Sequence, residues 1–253
     1  MSAEIPADWF DGFFEGDWLD HLALGSSPEW TERQVDFLVE QLDLREGTRV
    51  LDLACGRGRI ALPLAQRGCR VTGLDLSPRS LELARGGAEA AGVELELLHG
   101  DMRELDAVEA FDVVLNVFSS FGYFAEQPDD ERVVRAVARA LVPGGAFFID
   151  TVNPITLAPR FREREWSELE GGVTLLERRS WDQLRGRMET TWTFVRPDGS
   201  RTEAAFSLRM YTAAELAAML GAAGLEVDGA WGGWDGADLA DGHRILLRAR
   251  RPA

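Results

Sequence analysis

The stretch that most constrains the fold runs from Val50 to Ala65 and reads VLDLACGRGRIALPLA. An apolar run with one acid precedes two glycines, and apolar residues at helical spacing follow, a pattern typical of a buried strand that turns sharply into a helix. Glycines let the backbone of such a turn approach a polar ligand. The stretch therefore predicts a ligand site in an α/β protein, for a dinucleotide, a nucleotide triphosphate or another compound that carries a ribose.

Strand and helix patterns alternate up to residue 152. After a helix over 30–43, the apolar spacing predicts a regular succession of strands and helices. Ser77 and Pro78 fit the cap and the first position of one of these helices. This alternation predicts a parallel sheet with helices on both faces. The predicted strands are 49–55, 70–77, 93–101, 111–120 and 146–152, and the predicted helices between them are 59–68, 78–92 and 129–145.

The pattern changes after strand five. Strands are predicted over 173–181, 187–196 and 201–210, and the hairpin turns DQLRG and RPDGS join them into an antiparallel meander. A helix over 212–224 and two closing strands complete the chain. We therefore expect one domain over 1–253 of the α/β class: a Rossmann-like, mostly parallel sheet of seven strands with the meander inserted after strand five, in residues 154–210.

Charge and residue usage exclude several functions. The formal net charge is −16, from 43 acidic and 27 basic residues, which disfavours nucleic acid and anionic lipid as partners. Every basic residue is arginine, so a GxxxxGK[ST] phosphate loop, a lysine Schiff base and a YxxxK dehydrogenase site cannot exist. No apolar run reaches membrane-spanning length and the N-terminus does not resemble a signal peptide, so a cytoplasmic protein is expected.

Metal and serine-hydrolase chemistry have little support in the sequence. Cys55 and Cys69 form no CxxC pair, and the three histidines are scattered, with no HExxH. No GxSxG motif is present. We therefore expect no metal site.

The glycine turn fits a dinucleotide fingerprint. Gly56, Gly58 and Ala61 match GxGxxA, and Asp75 follows Gly56 by nineteen residues, about where a ribose-binding acid belongs. On this fingerprint alone, an NAD(P)-dependent oxidoreductase remains open. Two further acids favour another ligand: Asp52 lies before the turn, where it suits an ammonium group better than a pyrophosphate, and Asp101 lies just past strand three, where it can accept from an exocyclic amine.

The motifs in their order resemble those of the class I S-adenosylmethionine-dependent methyltransferases, in particular the small-molecule N- or O-methyltransferases with an antiparallel insertion after strand five. The resemblance covers about residues 30–152 and continues more weakly to the end. It implies S-adenosylmethionine as cofactor and methyl transfer to an amine or hydroxyl by in-line displacement. A non-catalytic protein that binds this cofactor is the other alternative. The motifs are VLDLACGRGR, VTGLDLS, GDMREL, FDVVLNVFSSFGYF and LVPGGAFFID.

Carried over residue by residue, the resemblance implies a cofactor site along the strand ends. The methionyl part would lie against Asp52, Ala54, Gly56 and Gly58, with Arg33 pairing with its carboxylate. The ribose and adenine would lie against Asp75, Leu76, Asp101 and Met102, and the reactive methyl group would lie near Asn116 and Val117.

The acceptor is expected to be a small molecule, since neither the [DN]PP[YF] motif nor the Pro-Cys dipeptide of nucleic-acid methylases occurs. No strong catalytic base is evident, which favours an amine; the candidate catalytic residues are Asn116, Tyr123 and His243. The aromatic segment within residues 1–29 predicts either packing on the core or a lid over the site. The meander predicts a substrate wall or, instead, the interface of a homodimer, and RFRERE (160–165) predicts an exposed helical face.

Overall fold

A seven-stranded sheet forms the centre of the computed structural model, which describes residues 5–16 and 27–253. Its strands lie in the order β10-β11-β5-β4-β1-β2-β3; β11 runs antiparallel to both of its neighbours, β5 and β10, and the other neighbouring strands pair in parallel. The predicted fold class is confirmed. The strands are β1 (Arg49–Leu53), β2 (Arg70–Asp75), β3 (Glu96–His99), β4 (Phe111–Asn116), β5 (Leu141–Val152), β10 (Glu226–Trp231) and β11 (Arg244–Arg250).

Helices connect these strands and cover the sheet. They are α1 (Phe10–Phe13), α2 (Pro28–Leu42), α3 (Ala61–Gln66), α4 (Pro78–Ala91), α5 (Gln127–Ala140), α6 (Pro154–Leu157) and α7 (Ala213–Ala222). The predicted cap is present, because Ser77 accepts from the backbone N–H of Ser80, and Thr212 and Glu215 form a capping box at the start of α7.

The core lies on both faces of the sheet because successive strand residues point to opposite sides. Along β1, Leu51 and Leu53 belong to one buried cluster and Val50 to the other. This double burial explains why β1 reads as an almost continuous apolar run. It also makes Asp52, in the middle of that run, an exception that needs a functional reason.

The order of the sheet reverses at β1, which pairs in parallel with β2 on one side and with β4 on the other. In open α/β sheets, ligands bind in the crevice beyond the carboxyl ends of the strands at such a reversal. The acids of the first two strand ends therefore meet at this edge.

A second, antiparallel sheet of four strands follows α6, and its strands are β6 (Arg164–Leu169), β7 (Val173–Asp182), β8 (Arg187–Val195) and β9 (Arg201–Arg209). The sequence predicted only the last three. The expectation of a helical face over 160–165 is wrong, because Arg164 and Glu165 begin β6, which pairs with β7. Nearly every residue of β6 is exposed, so no apolar alternation indicated a strand there.

The predicted boundary between α5 and β5 is also wrong. The helix ends at Ala140 and the strand begins at Leu141, so the Pro-Gly-Gly segment lies inside the strand. A Cβ at Gly145 would lie 3.0 Å from the carbonyl oxygen of Asp112, so the two backbones approach closely only because this residue is glycine. A Pro-Gly-Gly segment is normally interpreted as a turn, and this pattern does not indicate the close approach of the two backbones.

Within residues 5–16 and 27–253, we find no helix with both the length and the apolar character needed to span a membrane.

Candidate cofactor-binding site

A cavity of about 580 Å³ lies at the carboxyl ends of β1, β2 and β4, within the ordinary range for small-molecule pockets. Eight residues that the sequence proposed as cofactor contacts line it together. They are Asp52, Ala54, Gly56, Asp75, Leu76, Asp101, Met102 and Val117.

Asp75 connects the ends of the first two strands. Its carboxylate accepts hydrogen bonds from the backbone N–H of Gly56 at 2.7 Å and from that of Ser77 at 2.9 Å. Burial raises the pKa of Asp75, although these two N–H groups favour its charged form. The carboxylate is thereby fixed at the cavity wall, in an orientation that suits two neighbouring hydroxyl groups of a ribose.

Asp52 is 2% exposed and lies at the end of β1, beneath the glycine turn. Burial raises its pKa to about 7, against the attraction of the nearby Arg59 guanidinium, while Asp75 adds repulsion. A buried carboxylate of this kind is stabilised by a cation that enters the cavity. The surroundings of Asp52 therefore suit an ammonium group.

Asp101 marks the far end of the cavity. It accepts hydrogen bonds from the backbone N–H of Arg103 at 2.8 Å and from its guanidinium at 2.6 Å. Burial opposes the charge of Asp101, but the contacts with Arg103 outweigh it and lower the pKa. The guanidinium in turn lies 4.4 Å from the ring centroid of Phe124, which also lines the cavity. This end of the cavity combines a hydrogen-bond acceptor of fixed orientation, Asp101, with apolar surface. The combination suits the amine and the ring of an adenine.

The two glycines of the turn have different tasks. Gly56 has φ +54° and lines the cavity, and an added Cβ would find open space. Gly58 has φ +79° and faces the helices instead, where an added Cβ would lie 3.3 Å from Leu62. Gly56 therefore opens the cavity to the ligand, whereas Gly58 allows close packing of the turn.

Besides Gly58, three proposed site residues lie outside the lining of the cavity. Arg33 is exposed on α2. Asn116 is fully buried and its amide donates to the carbonyl of Leu53 at 3.1 Å, so it ties β4 to β1. His243 is exposed and lies 2.9 Å from Arg160. Tyr123, the other catalytic candidate, lines the cavity, and burial raises the pKa of its phenol to about 12 despite a hydrogen bond with Ser120.

The N-terminal aromatic segment contributes to the cavity within its described part. Phe10 and Phe14 line the cavity, and the ring of Phe14 is stacked on Tyr123 with centroids 6.0 Å apart. Ser77 donates its hydroxyl proton toward Glu15, whose carboxylate lies 2.6 Å away. Residues 5–16 pack on the core and contribute Phe10 and Phe14 to the cavity wall, whereas residues 1–4 and 17–26 of the predicted segment lie outside the described residues.

A turn of unusual backbone geometry follows β4. Phe118 and Ser119 have φ of +64° and +61°, which is rare for residues with side chains. The carboxylate of Asp150 accepts from the Phe118 N–H at 2.8 Å and from Arg244 at 2.7 Å, while the carbonyl of Asp150 accepts from the Ser119 N–H. These bonds hold the Phe118 side chain, which is 60% exposed, at the cavity wall.

Reasoning from the sequence assigned no role to Arg59, which lines the cavity. Arg59 stands at the start of the predicted helix 59–68, and a cation directly after a glycine turn is a signal that could have indicated its role. Phe118 belongs to FSSFGYF, whose hydroxyl groups and aromatic rings favour a pocket lining, but no residue type in that segment indicates the positive φ angles of Phe118 and Ser119. Both lie near Asp52, at the methionyl end of the predicted site.

The strand order and the cavity at its reversal point define a Rossmann-like fold with a candidate ligand site. Residues 50–145 match the sequence family described as a methyltransferase domain. This match identifies a methyltransferase domain over those residues, as the motifs predicted, and the class that the motifs resemble uses S-adenosylmethionine as its cofactor.

Individual proteins agree with this identification. A ubiquinone biosynthesis O-methyltransferase of Methylocella silvestris is 37% identical over 115 residues, which are 43% of this chain and 41% of that protein. The chain spans about half the length, from 41% to 59%, of the curated relatives it matches.

Solved structures extend the likeness over most of the chain. A methyltransferase of Clostridium acetobutylicum superimposes with a TM-score of 0.79 over 88% of this chain and 92% of that one, at 19% identity, which shows the fold alone. CalS10, an amino pentose methyltransferase of Micromonospora echinaspora solved with S-adenosylmethionine bound, gives a TM-score of 0.64 at 25% identity and covers 99% of both chains.

Proposed function

We propose that the protein transfers a methyl group from S-adenosylmethionine to an amine or a hydroxyl of a small molecule. The observation that carries this proposal is the row of three carboxylates, Asp52, Asp75 and Asp101, along one cavity. Their spacing along successive strand ends fits the ammonium, ribose and adenine groups of one ligand. A pyrophosphate would be repelled by the buried Asp52, which disfavours the NAD(P) alternative.

The lining fits the cofactor chemically. Apolar side chains of Leu76, Met102 and Phe124 offer a flat surface beside the fixed acceptor Asp101, and the Gly56 turn leaves space for a chain to approach the backbone. When bound, S-adenosylmethionine supplies a methyl group already activated by a sulfonium. The protein therefore has mainly to align the acceptor and exclude water.

The residues of the cavity suit an amine acceptor better than an alcohol. Tyr123 keeps its proton at neutral pH, because burial raises its pKa to about 12. Its phenol can therefore donate a hydrogen bond to the methyl acceptor, but it cannot act as a general base that takes a proton from the methyl acceptor. An amine that binds uncharged needs no base before the transfer. The amino pentose methyltransferase CalS10 supports an amine, whereas the ubiquinone relative supports a hydroxyl.

Calorimetric titration with S-adenosylhomocysteine tests the cofactor site, and we expect saturable binding with one site per chain. Absence of binding at millimolar ligand, or saturable binding of NAD(H) instead, would contradict the proposal. The transfer itself is measured by release of S-adenosylhomocysteine from S-adenosylmethionine with panels of amino sugars, other amines and phenols. Binding without transfer to any panel would favour the non-catalytic alternative.

The N-terminal segment is proposed as a cover of the site. Phe10 and Phe14 line the cavity, and Trp9 donates its indole N–H to the carbonyl of Tyr123 at 3.3 Å. Replacement of Phe14 by alanine should weaken binding of S-adenosylhomocysteine several-fold, since apolar contact with the ligand is lost. The matched control is Leu184→Ala, because Leu184 is an exposed apolar residue in a hairpin far along the chain. Phe118 is also exposed but does not belong to this segment. Equal affinities of Phe14→Ala and the control would contradict a cover.

The homodimer stays a prediction. Trp166 and Leu176 face each other across β6 and β7 and are 65% and 42% exposed, which offers an apolar patch on the second sheet. Sedimentation velocity over a range of concentrations measures the state, and a monomer throughout would contradict the dimer.

A further inference from the structure

Arg59 holds a cationic group at the end of the cavity where Asp52 lies. Its side chain emerges directly after the glycine turn and lines the cavity together with Asp52 and Phe118. The residue is partly buried, and burial lowers the pKa of its guanidinium, against the attraction of Asp52 and Asp150. An arginine remains charged even so, and a charge in such surroundings is stabilised by an anion.

The guanidinium is held from two sides. One terminal nitrogen donates to the side-chain carbonyl of Gln34, which is 1% exposed on α2, and lies 3.4 Å from the hydroxyl of Thr31. The ring of Phe118 lies 5.1 Å from the guanidinium carbon. Within residues 5–16 and 27–253, the other two guanidinium nitrogens of Arg59 donate to no protein group. The guanidinium group of Arg59 is thus oriented, and two of its nitrogens remain able to donate hydrogen bonds to a ligand.

The charges around Arg59 leave it available to a ligand. Asp150 already pairs with Arg244 at 2.7 Å and with the Phe118 N–H. Asp52 attracts Arg59 through space, and the two form no hydrogen bond among the described residues. Asp52 and Arg59 therefore line one cavity without neutralising each other by direct contact. Such a pair complements a ligand that carries both an anionic and a cationic group.

We infer that Arg59 binds the carboxylate of the methionyl group, opposite the ammonium at Asp52, and that Gln34 is its positioning residue. This inference rests on the proposed function and goes beyond it, because the family resemblance pointed to Arg33. Arg33 is the neighbour of Gln34 on α2 but is exposed and outside the cavity. A planar guanidinium group with two nitrogens able to donate matches the two oxygens of a carboxylate.

Two ligands separate this role from general damage to the site. S-adenosylhomocysteine carries the amino acid group, whereas 5′-methylthioadenosine has the same nucleoside without it. Replacement Arg59→Ala should weaken binding of S-adenosylhomocysteine about 30-fold, the typical effect of a lost charged hydrogen-bond pair, and change the affinity for 5′-methylthioadenosine by less than about twofold. Arg59→Lys should fall between, since it keeps the charge without the planar guanidinium group.

The positioning role and the competing assignment are tested with the same pair of ligands. Gln34→Leu should reduce the preference for S-adenosylhomocysteine over 5′-methylthioadenosine, and Arg33→Ala should leave the preference unchanged. Circular dichroism and thermal unfolding check that each variant folds. Equal losses for both ligands in Arg59→Ala, no loss for either, or a selective loss in Arg33→Ala would each overturn the inference. If the unaltered protein bound neither ligand, the proposed function itself would fail.

Discussion

Asp150 and Arg244 form an ion pair at 2.7 Å whose carboxylate is fully buried. The pair joins β5 and β11 to the turn after β4, where Phe118 and Ser119 adopt left-handed backbone geometry. Such geometry persists only where surrounding bonds enforce it. The wall of the cavity at this point thus depends on an arginine that comes 126 residues later in the chain than Phe118.

Arg244→Met should lower the free energy of unfolding by about 3–5 kcal/mol, because it leaves the buried Asp150 charge without its partner. The measurement is urea denaturation at neutral pH. Arg45→Met is the matched control, since Arg45 pairs with Asp43 on the surface and should change the free energy of unfolding by no more than about 1 kcal/mol. Equal effects of the two replacements would contradict the role of the buried pair.

Asp75→Asn should weaken binding of S-adenosylhomocysteine by about 30-fold. The amide keeps the size of the side chain but has one acceptor oxygen in place of two, and the backbone N–H groups of Gly56 and Ser77 compete for it. Titration calorimetry gives the affinity. Glu96→Gln, on the neighbouring β3 and bonded to Thr72, is the control and should bind as the unaltered protein does.

The affinity for S-adenosylhomocysteine should rise about tenfold between pH 6 and pH 8, because only the ionised form of Asp52 pairs with the ligand ammonium and its pKa is about 7. Calorimetry at several pH values measures this rise. Asp52→Asn should bind weakly and with no such dependence; a rise of the same size in that variant would show that another group titrates.

The same pKa has the opposite effect on stability. Between the ordinary value of 3.8 and about 7, the native state retains a proton on Asp52 that the unfolded state has lost. The free energy of unfolding should therefore fall as the pH rises from about 4 to about 7 and then level off. In Asp52→Asn this fall should be smaller, as measured by urea denaturation across that range. Asp130, whose pKa burial also raises to about 7, leaves a remaining slope in both proteins.

Tyr211→Phe should lower the free energy of unfolding by about 1–3 kcal/mol, because the fully buried Asp130 loses its bond at 2.7 Å to the phenol. The ring and its contact with Phe121 remain. Binding of S-adenosylhomocysteine should be unchanged, since neither residue lines the cavity. A variant as stable as the unaltered protein would show that the hydrogen bond between Tyr211 and Asp130 does not contribute to the free energy of unfolding.

The sequence predicted the seven-stranded sheet because each of its strands carries its own signal. β1 and β4 are buried on both faces and read as apolar runs, and glycines or caps end the helices between them. The lining acids could be found for the same reason: Asp52, Asp75 and Asp101 all lie at or beside strand ends, whose positions periodicity fixes. Local patterns were sufficient wherever local burial decides the structure.

The features that the sequence did not predict depend on contacts between distant segments. β6 is a strand because it pairs with β7, not because of its own exposed residues. Phe118 reaches the wall through a turn enforced by Asp150 and Arg244, and Arg59 is oriented by Gln34 on another helix. No spacing rule along one segment contains such information.

Part of the second sheet packs on the aromatic N-terminal segment and not on the cavity itself. None of its described residues lines the cavity, whereas Trp192 and Phe206 pack on Phe13 of the N-terminal segment, with Phe206 and Phe13 centroids 5.5 Å apart. The strands whose ends line the cavity and the strands beneath this segment can consequently change independently during evolution. Residues of β8 and β9 that face this segment could therefore be exchanged without altering the residues that line the cavity.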